Sequence, residues 1–400
     1  MTQLSGSLPA AWGQSGAFQQ LNVLHLNHIN IAGTIPSAWG EAGSFPALSS
    51  LKLGGSFLNG SLLTTWGSSG TLSDLVLLEL ANSNFSGTLP PEWGASNVFQ
   101  DLPMLTLTNC SISGTLPESW ADPGSFPALT SLTLDLSNLS GTLPPCWGNN
   151  GSFPVLDSLA LGPLLSPGVA PLAGTLPKAW SSPTAFPMLT SLSITNLSIT
   201  GTLPDSWAGV EAFPLLTDLT LADLPFQTGR LPTAWANNGS FPVLNSLMIG
   251  LSALDSTSLS GSLPTEWGHP DTFESLHYLI LGGCFTGPVP ASWYQPGAFR
   301  ALTYLDLSAC QLTSTLPISW PPMLLSLDVS SNLFSGVLSP GTSWPSLLQT
   351  LDVSYNSFTG ALPVGLASMG QLQPLTLSNY SFSGELPAAW GFPGAFEQLS

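Results

Sequence analysis

Charge is what this chain has least of. Only 6% of its 400 residues are Asp, Glu, Lys or Arg, against about 25% in an average globular protein. The shortage falls hardest on the bases: 4 Lys and Arg stand against 22 Asp and Glu, a formal net charge of −18. So few cations cannot line phosphates with a basic stripe, which excludes nucleic acid and an anionic lipid surface as partners. Long apolar runs are missing as well. Nothing approaches about eighteen continuous apolar residues, so no membrane span is expected. Cysteine is scarce, 4 in all with no C-x-x-C pair, and that spacing does not suit zinc. Met1 is followed directly by repeat sequence, so no secretion signal is expected within these residues. No nucleophile motif, phosphate loop or distinguished carboxylate pair is present, which argues against an enzyme and calls for no cofactor.

What fills the chain instead is repetition. A G-[TS]-L-P-x-x-W unit begins at Gly6, Gly33, Gly60, Gly87, Gly114, Gly141, Gly174, Gly201, Gly229, Gly261, Gly287, Ser314, Gly336, Gly360 and Gly384. The first five intervals are 27 residues, followed by 33, 27, 28, 32, 26, 27, 22, 24 and 24. A period in that range predicts a solenoid, in which no repeat buries its apolar face alone. Residues 1–400 read as one solenoid of about fifteen coils: 1–313 mainly of the 27-residue type, 314–383 of a shorter 22–24-residue type, and 384–400 the start of another long coil. At roughly 4.8 Å per coil the stack would measure on the order of 70 Å. In the stretch Phe126–Trp147, Leu129, Leu132 and Leu134 alternate apolar-in and polar-out as a short strand does, Gly141 permits a turn, and Pro144 keeps the chain extended before Trp147 returns to the interior. Thirteen of the 14 tryptophans fall six residues after the motif position, and a Phe such as Phe126 or Phe153 falls twelve after it, so both should stack as core columns.

The pattern L-x-x-L-x-L-x-x-[NC]-x-L-x-G-x-[IL]-P resembles the plant-type leucine-rich repeat of extracellular receptor and inhibitor proteins of plants and green algae. The resemblance implies an α/β-type repeat solenoid: a right-handed leucine-rich-repeat coil with a parallel β-sheet on the concave face and a mostly irregular or short-helical convex side. Three departures stand out. Trp replaces the family's aliphatic residue, the coil is commonly 27 residues, and the asparagine-ladder position holds Asn only at Asn332 and Asn356. The family's paired-Cys capping segments are absent. Cys110, Cys284 and Cys310 fall at the ladder position, where a buried thiol can replace Asn as a small donor. Cys284 and Cys310 lie in adjacent coils at a separation that permits a disulfide, with free thiols the preferred reading.

Candidate sites are few. N-x-[ST] sequons occur at Asn59, Asn84, Asn109, Asn138, Asn150, Asn196, Asn238 and Asn379, and a secreted protein should carry N-linked glycans on several. Asp306, Asp328 and Asp352 occupy the outward strand position of three successive coils. Such a ladder would attract a cation or a basic partner, although L-D-[LV]-S is ordinary sequence for the family. The matching position elsewhere shows no hot-spot cluster. Off-register aromatics (Tyr294, Tyr304, Trp344) are where a sugar platform would be sought. His25 and His28 share a coil but have no third ligand nearby, so no metal site is expected. Extra residues near 164–171 and 251–257 predict two loops at one edge.

A positive mean hydropathy with so little charge calls for covalent sugar or burial in an assembly. The motif also shows no polar cap. A bare end of roughly 400 Å² would favour stacking by about 10 kcal/mol before association costs, so the chain reads either as an excerpt of something longer, the slightly better fit, or as a head-to-tail stacking unit. The first functional expectation is therefore an extracellular, N-glycosylated structural or adhesive protein of a wall, coat or filament, partnered by itself or by neighbouring repeats. The second is a ligand-recognition ectodomain that binds a peptide, glycan or protein through its concave face and edge loops. Ice binding by a regular Ser/Thr face is the third.

Overall fold

The computed structural model describes residues 5–391 apart from 69, 136–137, 163–169, 210, 227–228, 251–258, 339–343 and 379–381. Both expected edge loops thus fall almost wholly outside the described residues. The chain forms two compact units, Met1–Thr200 with Gly209–Leu216, and Gly201–Ala208 with Thr217–Ser400.

Each unit is a stack of coils, and one coil explains the rest. In strand Ser131–Leu134, Leu132 and Leu134 are buried while Ser131 and Thr133 face outward, the period-2 alternation of a half-buried strand. The strand pairs in parallel with Met104–Leu107 and Ser158–Leu161, with Leu105, Leu132 and Leu159 in register. In the first unit this main sheet runs through Val23–His25, Ser50–Lys52, Leu77–Glu79, Met104–Leu107, Ser131–Leu134, Ser158–Leu161 and Ser191–Thr195. In the second it runs through Asp218–Ala222, Ser246–Ile249, Tyr278–Leu281, Tyr304–Asp306, Ser326–Asp328, Thr350–Asp352 and Leu375–Thr376. Shorter strands follow, such as Asn30–Thr34, Phe57–Ser61 and Asn84–Ser86, which pair into a second sheet.

The motif then turns the chain inward. Gly114 adopts φ +88, and a Cβ there would stand 2.8 Å from the Thr88 methyl of the preceding coil, so glycine meets both the turn and the close approach. After Pro117 a one-turn 3-10 helix, Glu118–Ala121, delivers Trp120 to the core. Trp93 and Trp120 stack with centroids 6.4 Å apart and planes 4° from parallel. Each indole N–H donates to a carbonyl of the coil before it: Trp93 to Leu63, Trp120 to Pro90, Trp147 to Pro117, and in the second unit Trp267 to Pro232. A buried indole removes about 150–250 Å² from water, and its N–H is satisfied by the same contact that fixes the coil spacing. The expected core column is what forms. The residue after the Trp must be small, because a Cβ at Gly94 would collide with the Ser119 carbonyl.

Phe126 and its equivalents form a second column, edge-on to the tryptophans at 5.4 Å for Trp120 and Phe126. They also adopt positive φ, for instance 47° at Phe45, 44° at Phe126 and 45° at Phe153. Such a backbone costs an aromatic residue on the order of 1–3 kcal/mol. Complete burial of the ring offsets it, and the Phe126 carbonyl accepts the Leu129 N–H that closes the turn.

The short coils hold together differently. Asn332 Nδ2 donates to the carbonyls of Leu307, Val329 and Ser330, and its Oδ1 accepts from the Leu312 N–H. Asn356 repeats the set one coil on. In long coils the position holds Ser56, donating to Leu53, or Cys110 and Cys310, donating to Leu80 and Leu281. Cys284 departs from the expected buried ladder position. Its coil has one residue fewer than the 27-residue norm, which leaves it exposed at the start of strand Cys284–Gly287. Cys284 and Cys310 are both free thiols, one exposed and one buried, so the bridge that their spacing permits is not made.

Candidate ligand-binding face

The outward face of the main sheet offers two side-chain rows. One row, the middle residue of each strand, was read in sequence. The row two residues earlier was not, and it carries the feature that matters most. Tyr278 and Tyr304 open consecutive strands and lie in register, with rings 6.1 Å apart and tilted by 34°. Tyr278 is 45% exposed. Register then places Ile280 beside Asp306, Asp306 beside Asp328, and Asp328 beside Asp352. The signal in sequence was the recurrent Tyr immediately before L-x-[LD], visible once both outward positions of the strand are scored.

The three aspartates serve their own turns first. Oδ1 of Asp306, Asp328 and Asp352 accepts the N–H of Ser308, Ser330 and Ser354 respectively, each at 2.8 Å. None of the three is in an ion pair among the described residues. Burial pushes the Asp328 carboxyl above the ordinary carboxylate range. The bonds to Ser330 oppose that shift, and the charges of Asp306 and Asp352 add to it. Burial likewise raises the Tyr304 hydroxyl, with Asp306 and Asp328 adding to the shift. The patch is therefore negative, partly dehydrated and bordered by aromatic rings. Chemically it can accept hydrogen bonds from a cation and cover an apolar side chain on Tyr278. Among the described residues no group of three His, Cys, Asp or Glu is arranged to hold a metal ion.

The other candidates scatter. Tyr294 ends the 3-10 helix Ala291–Tyr294 and, like the half-buried Trp344, is not among the residues of the tyrosine pair. His25 Nε2 pairs with Ser50 Oγ at 2.8 Å. Lys52 forms an ion pair with Glu79 at 3.0 Å. Burial pushes the Cys110 thiol up to about 11 and the Cys310 thiol up to about 12, so neither is a ready nucleophile. Of the sequons, Asn59, Asn84, Asn109, Asn138, Asn150 and Asn238 are exposed and Asn196 is half-buried, while Asn379 lies outside the described residues. Asn59 and Asn84 are register partners on adjacent strands.

Comparison with known proteins fits this geometry. A family model described as Leucine Rich Repeat matches residues 301–323 and 347–369. No curated protein matches the chain by sequence. Among solved structures, the plant peptide hormone receptor RGFR1 in complex with RGF2 is 26% identical, with a TM-score of 0.76 over 97% of this chain and 55% of that one. The Arabidopsis receptor kinase HAESA, in complex with the peptide hormone IDA and the co-receptor SERK1, is 25% identical, with a TM-score of 0.56 over 96% of this chain and 65% of that one. A leucine-rich-repeat protein of Leptospira interrogans, 22% identical, shares the fold at a TM-score of 0.58 over 96% and 95% of the two chains. The fold is a leucine-rich-repeat solenoid, similar to the ectodomains of plant receptors. The chain spans little more than half the length of RGFR1. No helix among the described residues is long and apolar enough to cross a membrane.

Proposed function

We propose that this protein is a ligand-recognition module that binds an extended, basic peptide segment on the main-sheet face formed by Tyr278, Tyr304, Asp306, Asp328 and Asp352. The observation that carries the reading is the in-register aspartate row beside the tyrosine pair, unpaired with any base in a chain that holds only 4 Lys and Arg. A guanidinium or ammonium would satisfy the Oδ2 atoms, and an apolar neighbour would pack on Tyr278, the kind of aromatic anchor that dominates interfaces. The receptors to which the fold is similar support recognition over the wall or filament role also considered from sequence. In this reading the protein works outside the cell, carries glycans on its exposed sequons, and needs no cofactor.

The test is a titration with synthetic peptides of alternating Lys and Leu, set against the same peptides with Glu for Lys. Binding should be confined to the basic series and weaken as salt rises. Tyr278→Ala should cost about 2 kcal/mol, roughly 30-fold in affinity. Equal binding of the acidic peptides, or indifference to both Tyr278→Ala and Asp328→Asn, would remove the proposal.

A further inference from the structure

A second site lies away from that face, where the spacing of the motif is disturbed. In the regular coils the threonine of one motif covers the glycine of the next: the methyls of Thr88, Thr115 and Thr142 stand 2.8, 2.9 and 2.8 Å from where a Cβ would be on Gly114, Gly141 and Gly174. The Gly201 coil is 28 residues long, and there the contact is lost. The atoms nearest that point on Gly229 are the Leu259 side chain and the Gly201 carbonyl, not Thr202. Gly229 also leaves the positive-φ region that Gly201 and Gly261 keep. An open cleft of about 670 Å³ results, within the usual size of a small-molecule site.

The chemistry of its walls is specific. Arg230 stands where the other motifs place Thr, Ser, an apolar residue or Glu. Its stem lies along Gly261, with Cγ and Nε 3.3 and 3.4 Å from the ideal Cβ position, so the side chain is braced. It makes no ion pair among the described residues. Asp205 lines the same cleft, with the hydroxyls of Thr202, Thr233 and Ser260. The floor is apolar and rigid: Leu203 and Leu231 are buried, and Trp235 Nε1 donates to the Pro204 carbonyl beneath at 3.0 Å.

A bare anion gains little here. The chain carries a net charge of −18, and Asp205 accepts hydrogen bonds but repels negative charge. The wall rewards a molecule that offers one carboxylate to the guanidinium and several hydroxyls to Asp205 and its neighbours, with a C–H face for the floor. We infer that the Arg230–Asp205 cleft binds a sugar acid, a carboxylate-bearing pyranose, taken either free or as one residue of an acidic polysaccharide.

Titration of the full chain with galacturonate, galactose, acetate and a short oligogalacturonide, followed by ligand-observed NMR and calorimetry, tests this. Galacturonate should bind with a Kd on the order of 1 mM, with galactose and acetate at least about ten-fold weaker, since each lacks half of the recognised groups. Arg230→Gln should remove galacturonate binding while leaving the melting temperature unchanged, because Arg230 is exposed. Asp205→Asn should weaken galacturonate several-fold and strengthen acetate. Tighter binding of the oligomer assigns the polysaccharide as source, and equal binding assigns the free acid. The inference is overturned if galacturonate does not bind, if galactose or acetate binds as well, or if Arg230→Gln binds as the parent does.

Discussion

The 27-residue coils and the shorter coils after Ser314 meet the same requirement, holding one turn of chain against the next, with different atoms. In the long coils the inter-coil hydrogen bond comes from Trp Nε1, which reaches back to the motif carbonyl of the preceding coil. In the short coils it comes from Asn332 and Asn356, which stitch the end of the strand to the coil before. One bond lies on the returning side of the coil, the other beside the main sheet. The extra residues of the long coil create room for a second aromatic layer, and the asparagine is then dispensable, replaced by Ser or Cys that make single bonds. Polar satisfaction can thus migrate around a coil, provided each buried donor still finds a carbonyl.

The seam between the two coil types shows what happens when neither device is complete. Tyr294 occupies the place after the Trp where earlier coils have Gly, Ala or Ser, and a Cβ at the equivalent Gly268 would already strike the next coil's backbone at Ser292. The following coil forms no 3-10 helix among its described residues. Trp320, 6% exposed, has no acceptor for its Nε1. The orphan donor follows from a bulky residue at a position that demands a small one.

Substitutions can break this comparison in order of size. Trp120→Ala removes the largest single contact of a long coil and should cost about 3–5 kcal/mol, read as a fall in melting temperature and as lost amide protection in neighbouring coils. Asn332→Ala leaves the Leu312 N–H and the Leu307 carbonyl unsatisfied and should cost about 2–4 kcal/mol. Asn332→Ser, which installs the long-coil solution, should recover part of that loss. The sharpest contrast is one substitution in two places. Trp120→Phe loses the bond to Pro90 and should destabilise by about 2 kcal/mol, whereas Trp320→Phe loses no bond and should stay within about 1 kcal/mol of the parent. Equal losses at the two sites would show that the indole bond is not what holds the long coils.

The smallest effect concerns the acidic row. Asp328 has a folded pKa raised above its unfolded value, so the folded state binds the proton more tightly and this group destabilises once pH rises through that folded pKa. Asp328→Asn should therefore raise the melting temperature slightly at neutral pH. The difference should vanish as pH falls below the ordinary carboxylate range, while affinity for a basic peptide drops at neutral pH.

The sequence by itself determined the coil. The L-x-x-L-x-L alternation, Gly141, Pro144 and the Trp at fixed spacing specify strand, turn and return through local stereochemistry and hydrophobic period, and these survive stacking unchanged. It also exposed the aspartate row, since residues at one repeat position must become neighbours. Only the tertiary structure decided the rest. The positive φ of Phe126 is unfavourable locally and is held by a core that exists only after stacking. The Tyr278–Tyr304 pair depends on which side of each strand faces out, and the fate of Cys284 on a single residue missing from its coil. The Arg230 cleft exists because one threonine fails to reach one glycine. Each of these follows from how one coil meets another, and a contact between coils is a property of distance in space that no single repeat encodes.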